Sequence, residues 1–118
     1  MSAGERTAID LDPAGVAERL AQDSGVQLLD VREAYEHEAG HIAGSRHIAL
    51  ASLPAEAATL KHGRPVIAYC RVGARSDMAA QALRAAGFEA YSMSGGLMRW
   101  ADEGRALVPE PDGHVADH

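Results

Sequence analysis

The sequence has one cysteine, few aromatic residues and no long apolar run. Because Cys70 is the only cysteine, no disulfide can form within the chain, which fits a reducing compartment and predicts a cytoplasmic location. Aromatic residues make up only 4% of the chain, so its core must depend on aliphatic and small side chains. No apolar stretch approaches the ~20 residues of a membrane span. The first residues also lack the apolar segment of a signal peptide.

An excess of positive charge is also missing. Lys and Arg number 11 against 17 Asp and Glu, which gives a net charge of −6. A mildly acidic chain does not attract phosphate backbones or anionic lipid, so we expect neither nucleic acid nor a membrane as partner. The length of 118 residues suits one domain. We predict an N-terminal extension at 1–6, a domain at 7–107 and a disordered, polar, proline-containing tail at 108–118.

Apolar runs alternate with helical periodicities along the chain. Residues 26–31 and 65–69 are almost continuously apolar, which is typical of strands buried on both faces of a parallel sheet. This alternation predicts an α/β fold with a small, mainly parallel sheet. Weaker patterns predict further strands at 7–10, 46–50 and 88–91, and helices at 13–23, 52–60, 76–86 and 94–103, with a brief helix within 32–38.

The most informative feature is the position of Cys70, directly after a predicted buried strand and shortly before a predicted helix. Ligands of open α/β sheets bind at the carboxyl ends of strands, and a tight loop closing onto a helix turns backbone N–H groups inward. Gly73 permits such a loop, while Arg71 and Arg75 add positive charge. These surroundings favour the thiolate, which is the nucleophilic form. A buried structural cysteine is the alternative, but charged and glycine neighbours make a poor apolar shell, so we predict a reactive thiol.

Two other polar residues lie near the same predicted edge. Asp30 ends a central strand, where its carboxylate either accepts hydrogen bonds from the cysteine loop or caps neighbouring turns; the second role is the commoner one. Ser76 closes the loop and is a further candidate for a supporting role.

His37 and His41 match the zinc-protease pattern His-Glu-x-x-His. That pattern binds zinc only on a continuous helix, which places both imidazoles on one face. Gly40 and Gly44 predict a loop instead, and no third ligand is evident. We therefore expect no metal.

Three segments carry a family resemblance. Residues 70–76 resemble the Cys-Arg-x-Gly-x-Arg-Ser active-site loop of bacterial single-domain rhodaneses. Residues 30–33 (Asp-Val-Arg-Glu) and 40–45 (Gly-His-Ile-Ala-Gly-Ser) are similar to the first rhodanese signature, with Ser45 in place of the usual alanine. Residues 95–100 resemble the Gly-Gly-x-x-x-Trp segment near the family's C-terminus. Together the three indicate a rhodanese-like α/β fold of about five strands with helices on both faces.

The resemblance, which spans about residues 7–107, also implies a chemistry. A rhodanese cysteine takes a sulfane sulfur from a donor such as thiosulfate or a persulfide, and passes it to cyanide or a thiol, including a protein thiol. On this chain Cys70 is then the catalytic sulfur carrier in a ping-pong sulfurtransferase reaction that needs no cofactor. The backbone amides of the active-site loop would cradle the outer sulfur, and its two arginines would steady an anionic donor. The loop residues are Arg71, Val72, Gly73, Ala74 and Arg75.

Two other functions stay open beside this one. Cysteine phosphatases and arsenate reductases of related fold have five residues between Cys and Arg, whereas four separate Cys70 from Arg75. The shorter loop suits a single sulfur atom better than a tetrahedral oxyanion, and no second cysteine is present to resolve an arsenate intermediate. A non-catalytic interaction module is disfavoured because Cys70 and the whole loop are present. A sulfur carrier would share the chemistry and differ only in its acceptor.

Overall fold

Five strands form one sheet in the computed structural model, which describes residues 9–117. The strands are β1 (Asp10–Leu11), β2 (Gln27–Asp30), β3 (Arg46–His47), β4 (Val66–Tyr69) and β5 (Ala90–Met93). Their order across the sheet is β1-β5-β4-β2-β3, and every pairing is parallel. The predicted α/β fold with a parallel sheet is confirmed. Because all strands run the same way, their carboxyl ends lie along one edge.

Five α-helices within residues 9–117 surround the sheet. They are α1 (Pro13–Gln22), α2 (Ala34–Ala39), α3 (Leu53–Glu56), α4 (Ala74–Ala85) and α5 (Gly96–Asp102). Helix α1 begins as its sequence predicts, because the Asp12 carboxylate accepts a hydrogen bond from the Gly15 amide at 2.8 Å and Pro13 needs no amide partner. Within residues 9–117, no helix combines the length and apolar character that crossing a membrane requires.

The core has two parts, one on each face of the sheet. Alternate side chains of β4 point to opposite faces, so Val66 and Ala68 join one apolar cluster and Ile67 joins the other. Helix α4 covers the first cluster with Leu83, and α5 covers the second with Leu97. Each fully buried aliphatic side chain of this kind stabilises the fold by about 1.5–3 kcal/mol. The prediction of helices on both faces is confirmed.

Two element boundaries near the cysteine loop differ from the predictions. Helix α4 begins at Ala74, two residues before the predicted 76–86, because Gly73 adopts a φ of 117° and lets the helix start directly after it. Strand β5 begins at Ala90, whereas the prediction was 88–91. The Phe88 amide donates to the Leu83 carbonyl at 2.9 Å, so it closes the end of α4 and does not enter the sheet.

The segment between β3 and β4 is less regular than its sequence predicts. Helix α3 is one turn long, and 3₁₀ turns at Leu50–Ser52 and Ala57–Thr59 flank it in place of a continuous helix at 52–60. Pro54 lies in the first turn, where its missing amide costs no helix hydrogen bond, so it suits the start of α3 and does not explain why the helix ends after one turn. Strand β3 is correspondingly shorter than the predicted 46–50. The predicted extension at 1–6 and the start of the predicted strand at 7–10 lie outside the described residues.

Residues 108–117 lie against the domain, which differs from the disordered tail that their polar composition predicts. Val108 and His41 exchange two backbone hydrogen bonds at 2.8 and 2.9 Å. The His114 amide donates to the Ala39 carbonyl at 2.9 Å, and Val115 packs on the apolar cluster beneath α1 and α5. Three backbone hydrogen bonds, the side chain of Val115 and a hydrogen bond from Arg71 to the Ala116 carbonyl attach the segment, and composition alone does not reveal such contacts.

Gly40 makes the attachment of this segment possible, because a Cβ at that position would overlap the backbone of His114. We therefore expect Gly40→Ala to release residues 114–117, since the extended backbone of Gly40 itself accepts alanine without strain. Hydrogen exchange measured by NMR should show faster exchange of the His114 amide, with a loss of about 1 kcal/mol in unfolding free energy. Unchanged exchange at that amide would contradict this account.

Candidate active site

Cys70 lies at the carboxyl end of the central strand β4, where the chain turns sharply into α4. Its Sγ accepts hydrogen bonds from the amides of Gly73 at 3.1 Å and Ser76 at 3.3 Å. The positive φ of Gly73 and the first turn of α4 bring both amides onto the sulfur. Within residues 9–117, no hydrogen bond is found for the amides of Ala74 and Arg75, which start the same helix. The loop therefore presents backbone donors to the sulfur and to the space beside it.

Helix α5 holds the outer side of this loop. The amide of Leu97 donates to the Cys70 carbonyl at 2.8 Å, and the amide of Met98 donates to the Arg71 carbonyl at 3.0 Å. Gly96 permits the approach, because a Cβ there would overlap the Arg71 carbonyl and the Val72 nitrogen. Gly96 therefore has a structural reason, which is the close contact between α5 and the cysteine loop.

Two buried serine hydroxyls lie behind Cys70. The Ser76 Oγ is 3.5 Å from Sγ and accepts a hydrogen bond from the thiol. It also lies 2.8 Å from the Oγ of Ser92, which comes from β5. The sequence identified Ser76 as a candidate but not Ser92. A polar residue within an otherwise apolar buried strand was the available signal.

The two loop arginines are both bound to other parts of the chain. Arg75 forms a bidentate ion pair with the Glu36 carboxylate, with N–O distances of 2.7 and 3.0 Å. The Glu36 side chain is 2% exposed, and the hydrogen bonds from Arg75 lower its pKa below the ordinary value. Arg71 donates from Nε to the Ala116 carbonyl at 3.2 Å. The loop is thus tied to α2 on one side and to residues 114–117 on the other.

Asp30 is completely buried and binds its own neighbourhood rather than the cysteine loop. Its carboxylate accepts hydrogen bonds from Nε and Nη2 of Arg32 at 2.9 and 2.6 Å, and its Oδ2 lies 2.8 Å from Nδ1 of His37. Burial raises the pKa of Asp30, but the hydrogen bonds and charge of Arg32 outweigh it, so the net shift is downward. This arrangement matches the turn-supporting alternative for Asp30.

The histidines of the zinc-protease pattern are not arranged as metal ligands. Helix α2 ends at Ala39, so His41 lies outside it, and the two imidazoles stack with centroids 3.8 Å apart. Nδ1 of His37 is hydrogen-bonded to the Asp30 carboxylate, and Nδ1 of His41 lies 2.7 Å from the His37 carbonyl oxygen. In the part of the chain that the structure describes, no group of three or more His, Cys, Asp or Glu side chains is placed to hold a metal ion.

The chain matches a known protein family over most of its length. The sequence pattern of the family described as Rhodanese-like domain matches residues 12–103, which is most of the chain. The chain belongs to the rhodanese-like domain family.

Relatives of this rhodanese-like domain include both uncharacterized proteins and sulfurtransferases. It is 42% identical over 81 residues to the uncharacterized protein YqhL of Bacillus subtilis (strain 168), covering 68% of this chain and 64% of YqhL. It is 30% identical over 105 residues to a sulfurtransferase of Allochromatium vinosum, covering 88% of this chain and 97% of that one. The chain therefore spans slightly less than two thirds of YqhL but nearly all of the second relative.

A solved structure has the same fold. The crystal structure of a rhodanese-related protein from Thermoplasma volcanium superposes with a TM-score of 0.79 at 29% identity, over 86% of this chain and 98% of that one. The family resemblance predicted from the sequence is confirmed, and the relatives include distant sulfurtransferases.

Of the predicted site residues, the structure places Gly73 and Ser76 against the Cys70 sulfur. The side chains of Arg71 and Arg75 bind Ala116 and Glu36, and Asp30 binds Arg32 and His37. The sequence predictions did not include Glu36, Ser92 or the Ala116 carbonyl. Glu36 is three residues after Glu33, a spacing that signals the reciprocal cap observed at the start of α2, but that pattern gives no sign of its partner Arg75.

The ion pair between Glu36 and Arg75 predicts a pH-dependent stability. Because folding lowers the Glu36 pKa, its contribution is present above the unfolded value near 4.5 and is lost as pH falls through the folded pKa. Glu36→Gln should reduce the unfolding free energy by about 1 kcal/mol at pH 7, a value discounted for the partial exposure of Arg75. Urea unfolding of variant and wild type should then converge near pH 3.

Glu38→Gln is the matched control, because Glu38 lies on the same helix with an exposed side chain. It should leave the urea midpoint unchanged at both pH values. If Glu36→Gln behaves like Glu38→Gln at pH 7, the ion pair does not stabilise the loop.

Proposed function

We propose that this rhodanese-like domain is a sulfurtransferase that carries sulfane sulfur as a persulfide on Cys70. The observation that carries the proposal is the pair of amides, from Gly73 and Ser76, that donate to the Cys70 sulfur. Cys70 is only 1% exposed and has apolar neighbours, which by themselves would fit a structural cysteine. An inert thiol gains little from two backbone donors, whereas a thiolate is stabilised by them.

The first step is attack by the Cys70 thiolate on the outer sulfur of a donor. With thiosulfate, a new S–S bond forms to Cys70, the bond between the two donor sulfurs breaks, and sulfite leaves with the electron pair. The charge then resides on the outer sulfur of the persulfide. Because so little of Cys70 is exposed, a donor with a slim terminal sulfur is favoured over a bulky one.

The second step passes the sulfur on. A cyanide ion or a thiolate attacks the outer sulfur, and the Cys70 thiolate leaves with the electrons of the broken S–S bond. Since the chain has no other cysteine, the acceptor thiol must belong to another molecule, either a small thiol or a protein. No cofactor takes part, and we place the reaction in the cytoplasm, where acceptor thiols are kept reduced.

The backbone is better suited than the arginines to hold the outer sulfur. The amides of Ala74 and Arg75 belong to the first turn of α4 and have no hydrogen bond within residues 9–117, so we assign them to the outer sulfur together with those of Arg71 and Val72. By contrast, the guanidinium of Arg75 is occupied by Glu36, and that of Arg71 by Ala116. We therefore assign charge stabilisation to the amides and attraction of an anionic donor to the field of the two arginines.

Incubation with thiosulfate should add the mass of one sulfur atom to the protein, as measured by intact mass spectrometry. The added mass should be lost on addition of cyanide, with release of thiocyanate. Cys70→Ser should abolish both signals while the urea midpoint stays close to that of wild type, because a hydroxyl is a far weaker nucleophile. Sulfur transfer that survives the substitution would refute the role of Cys70.

Loop length gives a second, independent test. Inserting one glycine between Gly73 and Ala74 moves the amides away from Sγ, so sulfur transfer should fall by about 10²–10³-fold, the effect of losing one charge-stabilising donor. Hydrolysis of phosphate esters by the wild-type protein faster than sulfur transfer would instead favour a phosphatase. A stable persulfide that no small acceptor removes would indicate a sulfur carrier that serves a protein partner.

A further inference from the structure

The two buried serines behind Cys70 form a short chain of hydroxyl groups that ends at the sulfur. Ser76 and Ser92 are 0% and 1% exposed, and their Oγ atoms are 2.8 Å apart. The Ser76 Oγ also lies 3.2 Å from the Gly73 carbonyl oxygen and 3.5 Å from the Cys70 sulfur. Ser76 therefore has three polar neighbours.

The number of available protons decides which of the two serine hydroxyls donates to the other. A serine hydroxyl has one proton to donate, and a buried proton without an acceptor costs about 1–3 kcal/mol. Within residues 9–117, the Oγ of Ser92 makes its one hydrogen bond to Ser76, whereas the Ser76 proton has the Gly73 carbonyl as another acceptor. The arrangement that satisfies both hydroxyls therefore has Ser92 donating to Ser76.

The ionisation of Cys70 then has a specific effect on Ser76. In the thiol form, S–H donates to the Ser76 Oγ, whose own proton goes to the Gly73 carbonyl. In the thiolate form, the Ser76 hydroxyl can rotate and donate to the sulfur. A hydrogen bond accepted from Ser92 polarises the Ser76 hydroxyl and makes it a better donor to a negative charge.

We propose that Ser92 is a positioning residue of the sulfur-transfer site, which directs the Ser76 hydroxyl toward the Cys70 thiolate. This proposal rests on the function proposed above, but it concerns the thiolate itself. Ser92 reaches Cys70 only through Ser76. Its strand β5 also pairs with β4, the strand that directly precedes Cys70, so the sheet fixes the distance between Ser92 and Cys70.

The test is the pH dependence of Cys70 alkylation by iodoacetamide, which reports the thiolate fraction without any sulfur transfer. Because the chain has one cysteine, the signal belongs to Cys70 alone. Ser92→Ala should move the midpoint of the alkylation profile upward by about half a pH unit, equivalent to about threefold slower alkylation below the midpoint. Ser92→Thr keeps a hydroxyl, so its midpoint should lie close to that of the wild type. Ser92→Val has the shape of threonine without the hydroxyl and should show the same upward shift as Ser92→Ala.

A double substitution distinguishes action through Ser76 from a general loosening of the site. If Ser92 acts through Ser76, then Ser92→Ala should produce no further shift in a Ser76→Ala background. Ser94→Ala is the control, because its hydroxyl faces the Leu11 carbonyl at 3.4 Å and should leave the midpoint unchanged.

An unchanged midpoint in Ser92→Ala, or equal and additive shifts in the two backgrounds, would overturn the proposal. Sulfur loading of the same variants by thiosulfate is measured separately. A shifted alkylation midpoint in a protein that never acquires sulfur would support the role of Ser92 toward the thiolate and contradict the sulfurtransferase function. Sulfur loading with an unshifted alkylation midpoint would support the sulfurtransferase function and contradict the role of Ser92.

Discussion

The contact between the start of α5 and the cysteine loop is the constraint on which the site depends. Once the carbonyls of Cys70 and Arg71 accept hydrogen bonds from Leu97 and Met98, the peptide units of the loop have a defined orientation. Gly73 then turns the chain, so that its own amide and that of Ser76 meet on Sγ. Gly96 makes the contact possible by having no side chain. The surroundings of the sulfur are thus created by backbone packing between elements far apart in the chain.

Charged residues hold this arrangement from the sides. The buried Asp30 and Arg32 pair stabilises the chain after β2, and Glu36 on the following helix holds Arg75. Since Arg75 is in the first turn of α4, the ion pair connects α2 directly to the cysteine loop. As a result, the two arginines of the loop bind other parts of the chain, while the amides of Gly73 and Ser76 donate to the sulfur. Rigid donors of this kind stabilise a developing negative charge without reorganisation.

Much of the fold was accessible from local pattern. The strands β2 and β4 are continuous apolar runs, α4 has a clear helical period ending before Gly87, and Cys70 stands at the junction of strand and helix. The errors occur where tertiary contacts compete with local preference. Phe88 closes α4 instead of entering β5, and residues 108–117 bind the domain through backbone hydrogen bonds and Val115 despite a polar composition.

The sequence by itself determined the α/β class, the family and the position of the cysteine at a strand–helix junction, because each depends on residue types at short spacing. It also determined the four-residue gap between Cys70 and Arg75, which sets the size of the loop. Only the tertiary structure decided which groups meet at that loop. Glu36, Ser92 and Ala116 come from three separate parts of the chain, and nothing in their neighbours predicts their partners. Parallel strands bring such distant residues to one edge, and hydrogen-bond geometry then selects which of them touch.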